Sequence, residues 1–360
     1  MKSEIKYVLT KLLNNGYEAY VVGGYVRDYL LGIHSIDVDI CTNALPKDII
    51  KIFNIKHQTD SYGSISLKKG DYNFDITTYR KESDYKNRKP QKVEYTSNLL
   101  LDLNRRDFTI NAICMNVDEK IIDYLQGQED LENRVIKVIG PCDEKLTEDP
   151  LRMLRAIRFA INLDFAIDEE IIKSIECNKD LIKGLSYTRK RNELDKIFSS
   201  KNIYKGLKIL KDLKLLSTLE INYDKIIEVR DLLGIWAQLE FSSNYPFTKN
   251  NLAIINSIRR IIKAKEISNK TLFKEGLYVN LIAGEILGIN KHIINERYAK
   301  LPIYSNQDLM VDSNDIMNIL DLEPSSTLRV INEDLINKVL DNKLHNNYED
   351  IKDYLLKNWK

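Results

Sequence analysis

The chain has 360 residues, 30% charged and 43% hydrophobic, a balance that suits two or three ordinary cores and excludes a disordered chain or a membrane bundle. Lys and Arg number 54 against 53 Asp and Glu, a net charge of +1. That excludes nucleic-acid binding through bulk positive charge but leaves room for a localised basic groove. The four cysteines (Cys41, Cys114, Cys142, Cys177) show neither C-x-x-C spacing nor a histidine at a zinc-ligand interval, so reduced thiols are expected. The start, Met1-Lys2-Ser3-Glu4-Ile5-Lys6, lacks the apolar core of a secretion signal, and the most apolar stretch, 277–289, is broken by Asn280 and Glu285. A cytoplasmic protein that does not cross a membrane is expected.

In chain order, Ile5, Val8, Leu9, Leu12 and Leu13 fall at helical spacing, and Asn15-Gly16 closes that helix. Residues 17–22 predict a buried strand running into Gly23-Gly24. Residues 36–40 predict a second, in which Asp37 and Asp39 alternate with Val38 and Ile40. Pro46 opens a helix over 46–53. Stretches 64–68 and 72–79 predict a hairpin closed by Gly70-Asp71, and 120–124 and 135–139 predict short strands. From Thr147 the strand signals nearly vanish. Thr147 suits an N-cap, Glu148 and Asp149 the positive end of a helix dipole, and Pro150 a first turn. Helical patterns then run to Lys360, broken near Gly184, Ser199-Ser200, 244–246 and Pro302. The expected fold class is α+β, with a head over 1–140 built on a mixed sheet. An all-α neck (141–215), body (216–300) and tail (301–360) follow.

A strand running into two glycines lets backbone approach a ligand closely, and a following helix aims free N–H groups at an anion. Arg27, in that helix, can add charge-assisted bonds to a phosphate. Alone, such a pair is more often just a tight turn. Asp37 and Asp39 add weight, because residues two apart on a strand share a face about 6.6 Å apart. Two such carboxylates repel, and a divalent cation, of which Mg²⁺ suits oxygen ligands and phosphates, is their natural partner. Asp75 is either a third carboxylate from the neighbouring strand or a solvated hairpin residue. On a helix from 148, about 100° per residue puts Leu154, Ile157 and Ile161 on one face and Asp149, Arg152, Arg155 and Arg158 on the other. Between 179 and 214, eleven basic residues stand against four acidic ones. A solvated surface and a basic binding track both fit that excess.

Gly23-Gly24-x-Val26-Arg27-Asp28, followed by Asp37-x-Asp39, resembles the active-site signature of class II nucleotidyltransferases of the DNA polymerase β superfamily, the tRNA CCA-adding enzymes and bacterial poly(A) polymerases. Asp102-Leu103-Asn104-Arg105-Arg106-Asp107-Phe108-Thr109-Ile110-Asn111-Ala112 resembles the second motif of that family. Gly127-x-x-Asp130-Leu131 resembles its hinge motif, and Glu148-Asp149-Pro150-Leu151-Arg152-Met153-Leu154-Arg155-Ala156-Ile157-Arg158-Phe159 its nucleotide-selecting motif. The four occur in the family's order across about residues 20–195. Asp308-Leu309-Met310 and Asn346-Asn347-Tyr348-Glu349 are more weakly similar to a tRNA-binding tail.

The resemblance implies a DNA polymerase β-like head that adds or repairs the 3′-terminal CCA of tRNA, without a template, from CTP and ATP. Asp37 and Asp39 are the implied catalytic residues, holding Mg²⁺ for two-metal phosphoryl transfer. Gly24 and Arg27 are implied to grip phosphate oxygens, Arg106 to contact the nucleotide, and Asp107 to contact the ribose 2′-hydroxyl. Asp149 as acceptor and Arg152 as donor would read the base edge, since cytosine N4 and adenine N6 both donate. Arg155 and Arg158 would help hold the nucleotide, and the 179–214 excess would track an RNA backbone. Poly(A) polymerase, a partial CC- or A-adding enzyme, and an inactive RNA-binding protein are the alternatives. Two departures stand out: Lys145-Leu146 where Arg-Phe is common, and Asn87-Arg88 in the loop Tyr85-Lys86-Asn87-Arg88-Lys89-Pro90. His34, His57, His292 and His345 form no His-Asp pair, so no appended metal-dependent phosphohydrolase domain is expected.

Overall fold

The computed structural model describes residues 1–55, 63–86 and 89–360, the side chains at 83–92 excepted. His57 and the departure at Asn87-Arg88 lie outside the described residues. The chain divides into two compact units, Met1–Glu220 and Ile221–Lys360.

The first unit opens with α1 (Ser3–Leu13), whose Ile5, Val8, Leu9 and Leu12 are wholly buried. There follow β1 (Ala19–Val22), α2 (Gly24–Leu30), β2 (Asp37–Thr42), α3 (Pro46–Phe53), β3 (Ser64–Lys69) and β4 (Tyr72–Thr78). These agree with the predicted elements to within two residues at most ends. Next come β5 (Arg80–Lys86), β6 (Lys89–Tyr95), α4 (Leu99–Asn104), β7 (Cys114–Met115), β8 (Ile121–Ile122), α5 (Gly127–Glu132) and β9 (Val135–Ile136). The main sheet has the order β3-β4-β2-β1-β7-β8. Within it only β2 and β4 pair in parallel, joined through the α3 crossover, so the sheet is mixed. Burying each large aliphatic side chain of such a core contributes about 1.5–3 kcal/mol.

Helices then dominate: α6 (Cys142–Glu148), α7 (Leu151–Leu163), β10 (Ala166–Ile167, parallel to β9), α8 (Glu169–Asn178), α9 (Tyr187–Phe198), α10 (Ile203–Asp212) and α11 (Leu215–Thr218). Here the structure corrects one expectation. Thr147 does not cap a helix; it lies inside α6, its hydroxyl donating to the Asp143 carbonyl at 2.8 Å. Pro150 bars the helical region to the residue before it, and Asp149 adopts φ −137°, ψ 94°. The helix restarts at Leu151, whose N–H donates to Asp149 Oδ1 at 3.2 Å.

The second unit contains β11 (Ile221–Asn222), α12 (Leu232–Ala237), β12 (Glu240–Phe241), α13 (Lys249–Ala264), α14 (Asn269–Leu287), α15 (Lys291–Ala299), α16 (Ser313–Leu320), α17 (Thr327–Leu340) and α18 (Tyr348–Asn358). Trp236 is fully buried among Phe241, Tyr245 and Phe247, with ring centroids 5.1–5.3 Å away. The apolar stretch 277–289 covers the later part of α14, which kinks at Gly276 (φ 75°). No helix among the described residues is long and apolar enough to cross a membrane. Asn346 accepts from Met310 N (2.9 Å) and donates to the Asp308 carbonyl (2.7 Å), so the two tail segments singled out in the sequence meet.

Candidate active site

The site begins where β1 ends. Gly23 has φ 80°, a conformation that side chains with a Cβ resist. A Cβ there would also stand 3.2 Å from Asp39 Oδ2 and 3.6 Å from Arg106 Nη1. Arg27, one turn into α2, is buried. Its Nε and Nη2 donate to Asp28 Oδ1 (2.9 and 2.7 Å) and its Nη1 to Asn111 Oδ1 (2.8 Å).

Along β2, Val38 and Ile40 point into the core while Asp37 and Asp39 face outward. The parallel register sets Asp39 opposite Asp75 and Asp37 opposite Asn73, so the three carboxylates share one sheet face. Asn73 donates to Asp37 at 2.8 Å, and the Ser66 hydroxyl donates to Asp75 at 2.5 Å. Desolvation by surrounding protein pushes the Asp39 carboxyl above the usual aspartate range; Arg106 opposes this, and the charges of Asp75 and Asp37 add to it. Among the described residues no group of three or more His, Cys, Asp or Glu is placed to hold an ion. The carboxylate pair, crowded by like charge and open on its outer side, fits a hard divalent cation that also takes oxygens from phosphate and water.

Beside this pair, Asp102 on α4 is wholly buried and accepts from Arg105 Nη2 (2.8 Å), Arg106 Nη2 (3.4 Å) and the Arg80 backbone N–H (3.1 Å). Arg106 Nε is buried with no partner among the described residues, while the residue itself lines the pocket beside Asp39. Asp107 accepts from Phe108 N (2.9 Å), Asn111 Nδ2 (3.2 Å) and Arg155 Nε (2.7 Å). Burial alone would raise its carboxyl, but Arg155 and these donors hold it below the usual range. The hinge motif backs this turn. Thr109 donates to Asp130 at 2.7 Å, and a Cβ on Gly127 would stand 2.4 Å from the Thr109 carbonyl. Gly127→Ala is therefore expected to cost about 1–3 kcal/mol of stability, read as a lower urea midpoint; an unchanged midpoint would contradict this packing.

The α7 helix supplies the third wall. Leu154, Ile157 and Ile161 are wholly buried, as their spacing predicts. Arg152 donates from Nη1 to the Lys145 carbonyl (2.9 Å) and from Nη2 to that of Arg105 (3.2 Å). Arg158 sits off the pocket, its Nε 3.2 Å from buried Glu193. Phe159, which the sequence reading did not single out, lies against the guanidinium groups of Arg158 (4.3 Å), Arg27 (5.2 Å) and Arg155 (5.4 Å).

These groups enclose a cavity of about 450 Å³ that brings together Gly24, Arg27, Asp39, Arg106, Asp107, Asp149, Arg152 and Arg155. Asp37 and Arg158 are not among its lining residues. Arg80, Glu82, Arg105, Asn111 and Phe159 also line it. Asn111 and Phe159 stand inside the quoted motifs, at helical spacing from Asp107 and Arg155, whereas Arg80 and Glu82 lie on a strand the sequence did not announce.

The basic stretch 179–214 is partly consumed within the protein. Lys190 is wholly buried, Lys183 pairs with Asp180 (2.7 Å), Lys205 with Asp164 (2.7 Å), and Arg189 with Asp149 (2.7 Å). Lys201, Lys208, Lys211 and Lys214 stay exposed on and around α10.

Residues 19–137 match the poly A polymerase head domain family, and 164–223 match a family described as a probable RNA and SrmB-binding site of polymerase A. The chain is 32% identical, over 96% of its length and 95% of the relative's, to a CCA-adding enzyme of Staphylococcus aureus strain Newman. It is 33% identical to that of strain MRSA252, over 89% of each chain. Among solved structures it superposes on the Bacillus stearothermophilus CCA-adding enzyme in complex with CTP with a TM-score of 0.88, at 25% identity and covering 99% and 98% of the two chains. The fold also matches the Thermotoga maritima CCA-adding enzyme complexed with tRNA, with a TM-score of 0.67 and 21% identity over 100% and 97% of the chains. With a curated relative at this identity over nearly the whole of both chains, the protein belongs to the CCA-adding enzyme family of nucleotidyltransferases.

Proposed function

We propose that this protein is a template-independent tRNA nucleotidyltransferase that adds or repairs the 3′-terminal CCA, using CTP and ATP and releasing pyrophosphate. One observation carries the reading: a single pocket joins a carboxylate of the β2 pair, the guanidinium-bearing Arg27 and Arg106, and an acceptor and a donor at Asp149 and Arg152. Nucleotidyltransferases of this family use a divalent metal, taken here as Mg²⁺ on Asp37 and Asp39. When bound, it supplies the positive charge that favours a deprotonated tRNA 3′-hydroxyl and steadies the triphosphate and leaving pyrophosphate.

The protein's own groups orient the substrates. Gly24 and Arg27 hold phosphate oxygens, with Asn111 and Asp28 fixing the Arg27 guanidinium. Arg106 donates a hydrogen bond from its guanidinium to the nucleotide. Asp107 accepts from the ribose 2′-hydroxyl while Arg155 keeps it ionised. Asp149 accepts from cytosine N4 or adenine N6 and Arg152 donates to the adjacent ring acceptor; guanine and uracil bring a carbonyl against the carboxylate and are repelled. Arg155 completes the nucleotide-holding wall, and Arg158 helps hold the nucleotide from behind it through Glu193, which both arginines approach. Head (1–140), neck (141–215), body (216–300) and tail (301–360) divide the work, with exposed neck lysines and the tail contacting tRNA. The reaction is proposed for the cytoplasm.

The test uses tRNA transcripts ending before CCA, after C and after CC, each given CTP, ATP or both. Completion of each to CCA is expected. Addition that stops at CC makes this a partial enzyme, long A tails make it a poly(A) polymerase, and no addition leaves an RNA-binding protein.

A further inference from the structure

We infer that Arg189, on α9, is a positioning residue for nucleotide choice: its guanidinium holds the Asp149 carboxylate in the orientation that accepts from cytosine and adenine. The inference rests on the base-reading role proposed for Asp149 and Arg152 and adds to it a residue outside the nucleotide-selecting motif.

The two halves of the base-reading pair are anchored differently. Arg152 lies within α7, and its guanidinium is fixed by the backbone carbonyls of Lys145 and Arg105 at 2.9 and 3.2 Å. Asp149 lies in the break between α6 and α7, with extended backbone. Its Oδ1 receives only the 3.2 Å contact from Leu151 N in its own turn, while its Oδ2 receives Arg189 Nη2 at 2.7 Å. That second bond is charge-assisted and the shorter of the two, so it sets the plane of the carboxylate. Arg189 is itself fixed at its backbone, because the Ser186 side chain caps α9 through the Arg189 N–H.

Without this anchor, the Asp149 carboxylate keeps only the contact in its own turn and can swing towards the arginines of α7, of which Arg155 already interacts with it electrostatically. An ion pair between Asp149 and one of those arginines would consume the acceptor and erase the pattern that the base edge must match. Arg189 thus keeps the pair open. Counted in the sequence among the basic residues of an RNA track, it is here engaged with Asp149, the two side chains 38% and 19% exposed.

The experiment measures kcat and KM for CTP, ATP, UTP and GTP on tRNA transcripts ending before CCA and after CC, for wild type, Arg189→Ala, Arg189→Gln and Arg189→Lys. The expected result is a fall of about tenfold or more in discrimination against UTP and GTP in the Ala and Gln variants, since one charge-assisted bond carries that much. Partial recovery in the Lys variant and an unchanged KM for tRNA complete the expectation. Circular dichroism and melting separate this from misfolding, and the Gln variant serves if the Ala variant does not fold. A raised KM for tRNA with discrimination intact would make Arg189 an RNA contact and overturn the inference, as would no kinetic change at all. Wild type that adds no nucleotide to any transcript is a different result: it removes the proposed function itself, and this inference with it.

Discussion

Asp39→Ala is expected to bind tRNA like the wild type and to transfer nucleotide at least about 10³-fold more slowly, because metal charge at the reacting phosphate is worth several kcal/mol. The size of the effect follows from what else Asp39 does, which is little. Its neighbours Val38 and Ile40 anchor β2 on the opposite face, fully or almost fully buried, so the strand keeps its place. The carboxylate itself strains the unliganded protein, since desolvation and the like charges of Asp75 and Asp37 raise its pKa. Removing it is therefore expected to leave the melting temperature unchanged or slightly higher while activity collapses. Single-turnover extension of labelled tRNA and a mobility-shift titration read the two sides. Substantial turnover retained in Asp39→Ala would sink the catalytic assignment; lost tRNA binding would move Asp39 from chemistry to RNA contact.

At the proposed base-reading pair, Asp149→Asn and Arg152→Ala are expected to relax nucleotide choice by about 10- to 10²-fold, the range a two-bond base contact supplies. They should differ in kind. Asparagine brings an N–H₂ group where the carboxylate offers only lone pairs, so Asp149→Asn should gain UTP incorporation through a donor facing the uracil carbonyl. Arg152→Ala should weaken CTP and ATP together. It also strands the Lys145 and Arg105 carbonyls that the guanidinium satisfies, so a stability loss of about 1–3 kcal/mol should accompany it. Competition between nucleotides on a transcript ending before CCA measures the first, and urea unfolding the second. Unaltered choice in both variants would remove the pair from nucleotide selection.

Much of the head was legible because its signals are periodic or local. The α1 stripe, the alternation of Asp37 and Asp39 with buried neighbours, Pro46 at the start of α3, and the β3–β4 turn at Gly70-Asp71 each state their structure within a few residues. The β5–β6 hairpin was not legible, because its strands are rich in charged residues and lack apolar alternation. Thr147 misled for a related reason. Thr-Glu-Asp-Pro obeys the rules for a helix start, but α6 already runs into it, and Pro150 moves the restart from 148 to Leu151.

For the site, the motifs named most of the side chains that line the pocket without showing how they hold one another. Arg27 meets Asn111 across 84 residues, Asp107 meets Arg155 across 48, and Asp149 meets Arg189 across 40. No local pattern encodes such pairs. The arginine face of α7 could as well have been solvated; in the fold Arg152 and Arg158 are 7% and 8% exposed. For Arg158 that difference comes from α9, whose Glu193 stands 3.2 Å from its Nε; Arg152 is enclosed by the Lys145 and Arg105 carbonyls.

The most direct test gives a tRNA transcript lacking CCA all four nucleoside triphosphates with Mg²⁺ and sequences the 3′ ends of the products. The expected product carries C, C and A in that order and grows no further. A homopolymeric A tail, a mixed tail, or an unextended transcript would contradict the account.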